Sequence, residues 1–306
     1  MGRMKIKWFL SLVSLVLLVS ACADSNATDD KGNGWPEKLV IVTMPDENNP
    51  EAGGKNKKFE QDMSDYLGIE VEQMEGADYA VGIEAMKSQQ LDILLVSPMS
   101  LHQATKRVEK GVEPVATTKS GDAEEYKTVF VAKSDNDEIN DLKDLEGKNF
   151  AFVDPASSSG YLYPKYTLVK ELGLEPNQME ESNYFFKTVA YSGKHDTSLM
   201  GVAKGDYDAA AVAKQIISMM TDSGLVKEDD FKIIGETSVI PNALYIMRSD
   251  LPDDLKEKIK EFYLQYEDEE YFETFYKDKT TRFTEVDLAD YSETNDMLKT
   301  LNVEED

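Results

Sequence analysis

Hydrophobic and polar positions along the chain fall into two alternating series. In the first, Leu39 to Met44 is a short apolar, β-rich run, Lys57 to Leu67 repeats its apolar residues at helical spacing, and Ile69 to Met74 alternates like a half-buried strand. Tyr79 to Gln90 returns to helical spacing, and Leu91 to Val96 is a continuous apolar run of the kind buried on both faces. The second series begins at Thr128 to Ala132 and continues through Asn149 to Val153, a helix from about Ser159 to Leu172, Phe185 to Tyr191, a helix from about Asp196 to Lys204, and Asp208 to Val212. Strands alternating with helices predict parallel sheets covered on both faces, and two such series predict two α/β lobes. From Pro252 onward the pattern is helical, through Leu255 to Tyr263 and the aromatic-acidic stretch Tyr266 to Tyr276, and this tail is expected to return to the first lobe. The expected boundaries are 37–125 plus 245–306 for lobe 1 and 126–244 for lobe 2, with the hinge near 120–128 and 237–247.

The first residues change the picture. Arg3, Lys5 and Lys7 precede an apolar run from Trp8 to Val19 and then Ser20-Ala21-Cys22, the layout of a secretory signal peptide over residues 1–21. The run is too short for a comfortable membrane span. Val19-Ser20-Ala21-Cys22 resembles the bacterial lipobox, which implies cleavage before Cys22, acylation of its thiol, and an extracytoplasmic protein anchored to the cell membrane. Residues 22–36 are polar, rich in turn formers and aperiodic, and read as the tether between anchor and domain. With the chain's only cysteine acylated, neither a free thiol nor a disulfide remains, and stability rests on the core.

Removing residues 1–21 takes away three basic residues and no acidic ones, leaving 30 basic against 59 acidic, a formal charge of -29. Such a surface excludes nucleic acid and anionic lipid as partners. It does not exclude a small anion, because exposed charges more than about 8–10 Å from a site are largely screened at physiological ionic strength and local dipoles decide.

Three segments carry candidate chemistry. In Phe152-Val-Asp-Pro-Ala-Ser-Ser-Ser-Gly-Tyr161 an apolar strand stops at small hydroxyl residues and a helix opens, so backbone amides and the hydroxyls of Ser157, Ser158 and Ser159 converge where an anion can be held. The plainer alternative is one capping serine and two loop residues. In Val189-Ala-Tyr-Ser-Gly-Lys-His195-Asp a strand ends at a glycine and a helix starts at His195, whose imidazole can donate to an oxyanion and, protonated, adds charge; a surface capping role is the alternative. In Gly76-Ala-Asp-Tyr79 a tyrosine stands at a helix start, either packed there or reaching across a cleft.

Taken together these pieces resemble the phosphate/phosphite/phosphonate-binding family of ABC-transporter substrate-binding proteins. The resemblance also rests on Pro45-Asp-Glu-Asn-Asn-Pro50, Ile83-Glu-Ala-Met86, Leu91-Asp-Ile with Ser97-Pro98, Leu142-Lys-Asp-Leu-Glu-Gly-Lys148, and Gly193-Lys-His-Asp196 with Asp208-Ala-Ala-Ala. It implies a type II periplasmic-binding-protein fold, two α/β lobes joined by a two-stranded hinge with the ligand cleft between them. It further implies that Ser157, Ser158 and Ser159 hold the anionic group, that His195 donates to it, that Tyr79 contacts it from the opposite lobe, and that Asp208 is a further ligand candidate. Two departures stand out: Ser158 occupies a position where the family often has threonine, and Val96-Ser97 replaces an aromatic and a glycine before Pro98.

The function implied is capture of a phosphonate, phosphate or phosphite outside the cytoplasm and delivery to an ABC permease in the membrane. Rival readings of the same architecture are a binder of a sulfonate or an organic carboxylate and a ligand-sensing lipoprotein. An enzyme is not expected: there is no His-Glu-x-x-His zinc pattern, no P-loop, no dinucleotide glycine fingerprint and no Gly-x-Ser-x-Gly, and no cofactor or metal is implied.

Overall fold

The computed structural model describes residues 34–43, 57–76, 78–121, 125–276 and 278–303. The expected signal peptide, Cys22, most of the tether and the Pro45–Pro50 motif lie outside the described residues. The chain first lays down β1 (Lys38–Thr43), α1 (Lys57–Leu67), β2 (Glu70–Glu75), α2 (Tyr79–Lys87), β3 (Ile93–Val96), α3 (Pro98–Arg107) and β4 (Val112–Lys119). It continues with β5 (Thr128–Lys133), β6 (Asn149–Phe152), a π-helical turn over Ser158–Leu162 that runs into α4 (Tyr163–Leu172), β7 (Thr188–Tyr191), α5 (His195–Lys204), β8 (Ala209–Ala213), α6 (Lys214–Asp222) and β9 (Phe231–Glu236). It closes with β10 (Leu244–Arg248), α7 (Asp253–Gln265), α8 (Glu269–Tyr276), β11 (Arg282–Thr284) and α9 (Ser292–Thr300).

Among the described residues these strands form two sheets, ordered β11-β4-β10-β3-β1-β2 and β7-β6-β8-β5-β9. The expectation of parallel sheets holds where helices make the crossovers, in β2-β1-β3 and β7-β6-β8. It fails at β10, antiparallel to β3 and β4, at β5, antiparallel to β8 and β9, and at the short edge strand β11, antiparallel to β4. β10 and β5 each arrive from the other sheet rather than through a covering helix, so no crossover forces them to run parallel. The chain thus passes between sheets from β4 to β5 and from β9 to β10, and the two links are tied by the Ile240 amide donating to the Tyr126 carbonyl at 2.8 Å.

Period-two alternation places successive residues on opposite sides of each sheet. Leu39, Ile41, Tyr245 and Met247 face a core shared with α1, α7 and α8, whereas Val42, Leu244 and Ile246 face one shared with α2 and α3. In the second sheet Phe130, Phe150, Phe152 and Ala211 face α4, and Val129, Val131, Ala151 and Val212 face α5 and α6. The tail does not all return to the first sheet. Residues of α7, α8 and β11 join the first core, but Met297 and Leu298 of α9 and Leu301 beyond it pack into the second, and Tyr163 bonds Thr294 there at 3.1 Å.

Tyr263 on α7 is fully buried among Phe59, Tyr245 and Phe283, and its hydroxyl has no hydrogen-bond partner among the described residues. Leaving a buried polar group unpaired costs about 1–3 kcal/mol. Tyr263→Phe is therefore expected to leave the urea midpoint unchanged or raise it, and a clear fall would show that the hydroxyl has an acceptor.

Candidate functional site

The site grows from the carboxyl end of the second sheet. After β6 the chain turns on Asp154, whose carboxylate accepts from the Ala156 amide at 2.7 Å and whose carbonyl accepts from the Ser157 amide at 2.9 Å. Ser157 caps the π-helical turn, its hydroxyl oxygen accepting from the Gly160 amide at 3.0 Å. The opening turn of a helix leaves its first amides without an intrahelical acceptor, and here those belong to Ser158 and Ser159. Gly160 is required: an added Cβ would overlap the Val153 Cβ and lie 2.7 Å from its Cγ2. Short π-helical insertions of this kind recur at functional sites.

The three serines are buried, 1–4% exposed, and their side chains do three different things. Ser157 caps, as the plainer alternative had it for one serine. The Ser158 oxygen accepts from the Met99 amide at 2.8 Å, which belongs to the first turn of α3 and hence to the other sheet's side of the molecule. Ser159 meets His195, with Oγ 3.0 Å from Nε2. The phenol of Tyr126 donates to the same oxygen at 2.7 Å, and Thr128 donates to the Ser159 carbonyl at 2.6 Å.

His195 opens α5 and is 5% exposed. Its Nδ1 accepts from the Ala213 amide at 3.1 Å, which places the ring proton on Nε2 and makes that nitrogen the donor towards Ser159. Burial lowers its pKa to about 4, so it is a neutral donor at physiological pH and the expected contribution of imidazolium charge is absent. With the His195 and Tyr126 donors both directed at its oxygen, Ser159 is left to donate its own hydroxyl proton outward, and together with the helix-start amides this uncharged set suits an anion with several acceptor oxygens.

Not every expected residue joins it. Asp208 precedes β8, and its carboxylate accepts from the Asn149 amide at 2.7 Å and side chain at 3.0 Å, holding the start of β6. Ala213, which touches His195, is at the far end of β8, about 16 Å away by strand rise. Asp208 lines instead a cavity of about 510 Å³ with Asp135, Asp137 and Glu138, whose carboxylates outnumber the one ammonium there, Lys133, and make the setting unsuited to an anion. Tyr79 is the first residue of α2, partly exposed, on a helix that packs against α3 and β3 of the first sheet. Tyr126 was not expected at all. The substitution at Ser97 adds a contact: it caps α3 with Ser100, and its hydroxyl donates to the Ala156 carbonyl at 3.3 Å beside the serine turn.

Residues 41–291 match the model of a family described as ABC transporter, phosphonate, periplasmic substrate-binding protein. The chain belongs to that family. It is 29% identical over 254 residues to the phosphate-import protein PhnD of Mycolicibacterium smegmatis, covering 82% of this chain and 79% of that protein. It is 30% identical over 212 residues to the phosphonates-binding periplasmic protein of Escherichia coli, covering 68% of this chain and 60% of that one. The solved structure of PhnD1 from Prochlorococcus marinus in complex with methylphosphonate superposes with a TM-score of 0.72 at 22% identity, over 87% of this chain and 98% of that one. The fold is that of the type II periplasmic binding proteins. Membership places the protein among extracytoplasmic transport components, and among the described residues no helix is long and apolar enough to cross a membrane.

Proposed function

We propose that the protein is the substrate-binding component of an ABC importer, that it captures a phosphonate or a related phosphorus oxyanion such as phosphate or phosphite, and that it hands the ligand to a membrane permease. The observation that supports this is the buried pair Ser159 and His195 at a helix start, with Nε2–H and the Tyr126 phenol both directed at the Ser159 oxygen. Ser158 and Ser159 supply amides, the three serines supply hydroxyls, His195 and Tyr126 fix the Ser159 oxygen, and Tyr79 contacts the ligand from the first lobe. Lobe 1, residues 37–125 and 245–306 with α9 strapped across, closes on lobe 2, residues 126–244. The ligand favours the closed form by bridging α2 and α3 on one side and the serine turn on the other, which is how a differential affinity shifts such an equilibrium. The tether over residues 22–36 holds this unit to the membrane through acylated Cys22.

Calorimetry with methylphosphonate, phosphate, phosphite and sulfate tests the reading. Phosphorus oxyanions should bind, and Ser159→Ala should weaken them about tenfold, the loss of one hydrogen bond to a charged group. Heat with sulfate or an alkylsulfonate and none with any phosphorus compound would sink it. Labelling with radioactive palmitate in a bacterial host, lost in Cys22→Ser, tests the anchor.

A further inference from the structure

The serine turn and the His195 loop leave the second sheet from neighbouring strands, and one carboxylate touches the continuation of both. Glu180 lies in the connection between α4 and β7. Its Oε1 accepts from the Tyr161 phenol at 2.5 Å and from Lys165 Nζ at 2.6 Å, and its Oε2 accepts from the Tyr191 phenol. Tyr161 lies two residues after Ser159, inside the π-helical turn, and Tyr191 is the last residue of β7, four before His195. Lys165, 6% exposed in the first turn of α4, also bonds the Tyr161 phenol at 3.0 Å. Tyr161 packs edge-on against Phe152 at the end of β6, with ring centroids 5.3 Å apart.

Burial alone would raise the carboxyl of Glu180, but the hydrogen bonds from Lys165, Tyr161 and Tyr191 outweigh it and hold it below its ordinary value. Burial first, and Glu180 second, push both phenols up, so they remain donors. A buried ion pair is weak evidence for stability, because apolar groups of the same shape often serve as well. What this one adds is geometry: three donors from three segments converge on two oxygens, and two of those segments carry the site.

We propose that Glu180 is a positioning residue for the anion site, fixing the separation of the Ser159 turn and the His195 loop through Tyr161 and Tyr191. Its effect on affinity rests on the ligand-binding role given above, whereas its effect on loop order does not. Glu180→Gln keeps the shape and one acceptor but removes the charge and aims N–H groups at donors. Hydrogen exchange and calorimetry with methylphosphonate and phosphate would be measured on the full chain, on Glu180→Gln, on Ser159→Ala and on the double variant. Exchange should speed up at 157–163 and at 192–196 while β5 and β8 keep their protection. Affinity should fall about tenfold. The fall should shrink in the Ser159→Ala background, since residues acting through one another are non-additive. Tyr191→Phe, at a 42% exposed position, carries the same comparison should Glu180→Gln fail to fold. Unchanged exchange in both loops, or independent losses from Glu180→Gln and Ser159→Ala, would overturn the proposal. If the unaltered protein binds neither probe, the ligand assignment falls and the exchange comparison alone decides the role of Glu180.

Discussion

Gly160→Ala is expected to damage the serine turn more than any other single-atom addition in it. The new Cβ would overlap Val153 Cβ and sit 3.0 Å from the Ser157 oxygen. Neither chain can withdraw cheaply, because the Gly160 amide donates to Ser157 and the Gly160 carbonyl accepts from the Val153 amide at 2.9 Å. Overpacking of this sort costs about 1–3 kcal/mol and is relieved by backbone shifts. The shift available is outward movement of residues 157–160, which separates Ser159 from His195 and turns the Ser158 and Ser159 amides off target. Two charge-assisted hydrogen bonds to the ligand would go, and affinity for methylphosphonate or phosphate should drop about a hundredfold or more. Val153→Gly removes both clashing carbons, so the double variant should recover part of the affinity even though Val153→Gly alone loosens the end of β6. Wild-type affinity in Gly160→Ala would mean that the turn does not hold the ligand.

Local patterns made the strand and helix series legible, and with them the serine turn and the start of α5, because each depends on residues adjacent in sequence. The three-serine block was readable as a helix start; that only Ser159 reaches His195 was not, since the division of labour depends on α3 arriving from the other sheet to take the Ser158 oxygen. Tyr126 carries no local mark. It stands in a link, and it reaches Ser159 only because β5 pairs with β8 in a register that sets Thr128 opposite Ala213. Asp208 illustrates an error that strand direction could have prevented. Residues that follow parallel strands gather at one end of a sheet, so Asp208, which precedes β8, belongs with Asn149, which opens β6, and not with Ser157 or His195. The destination of α9 was equally hidden: an apolar stripe shows that a helix packs, not which of two cores receives it.

Burial was the property of His195 that its spacing could not disclose, and it sets the second large effect. The imidazole has an ordinary pKa of 6.5 and about 4 in the folded protein, with burial as the leading cause. Below pH 6.5 the unfolded chain takes up a proton that the native chain refuses, so stability falls as the pH falls and the loss is complete once the pH passes 4. The shift corresponds to about 3 kcal/mol lost across that window. Carboxylates titrate in the same range, so the measurement is the difference between urea unfolding curves of the protein and of His195→Gln taken from pH 7 to pH 4, in which their contribution cancels. The variant should be less stable at pH 7, where it loses the Ala213 and Ser159 contacts, and the gap should close or reverse by pH 4. Two parallel curves would place the imidazole in contact with water. Ligand affinity between pH 6 and 8 should then follow the ionisation of the ligand rather than that of the protein, because the group that donates to Ser159 stays neutral throughout.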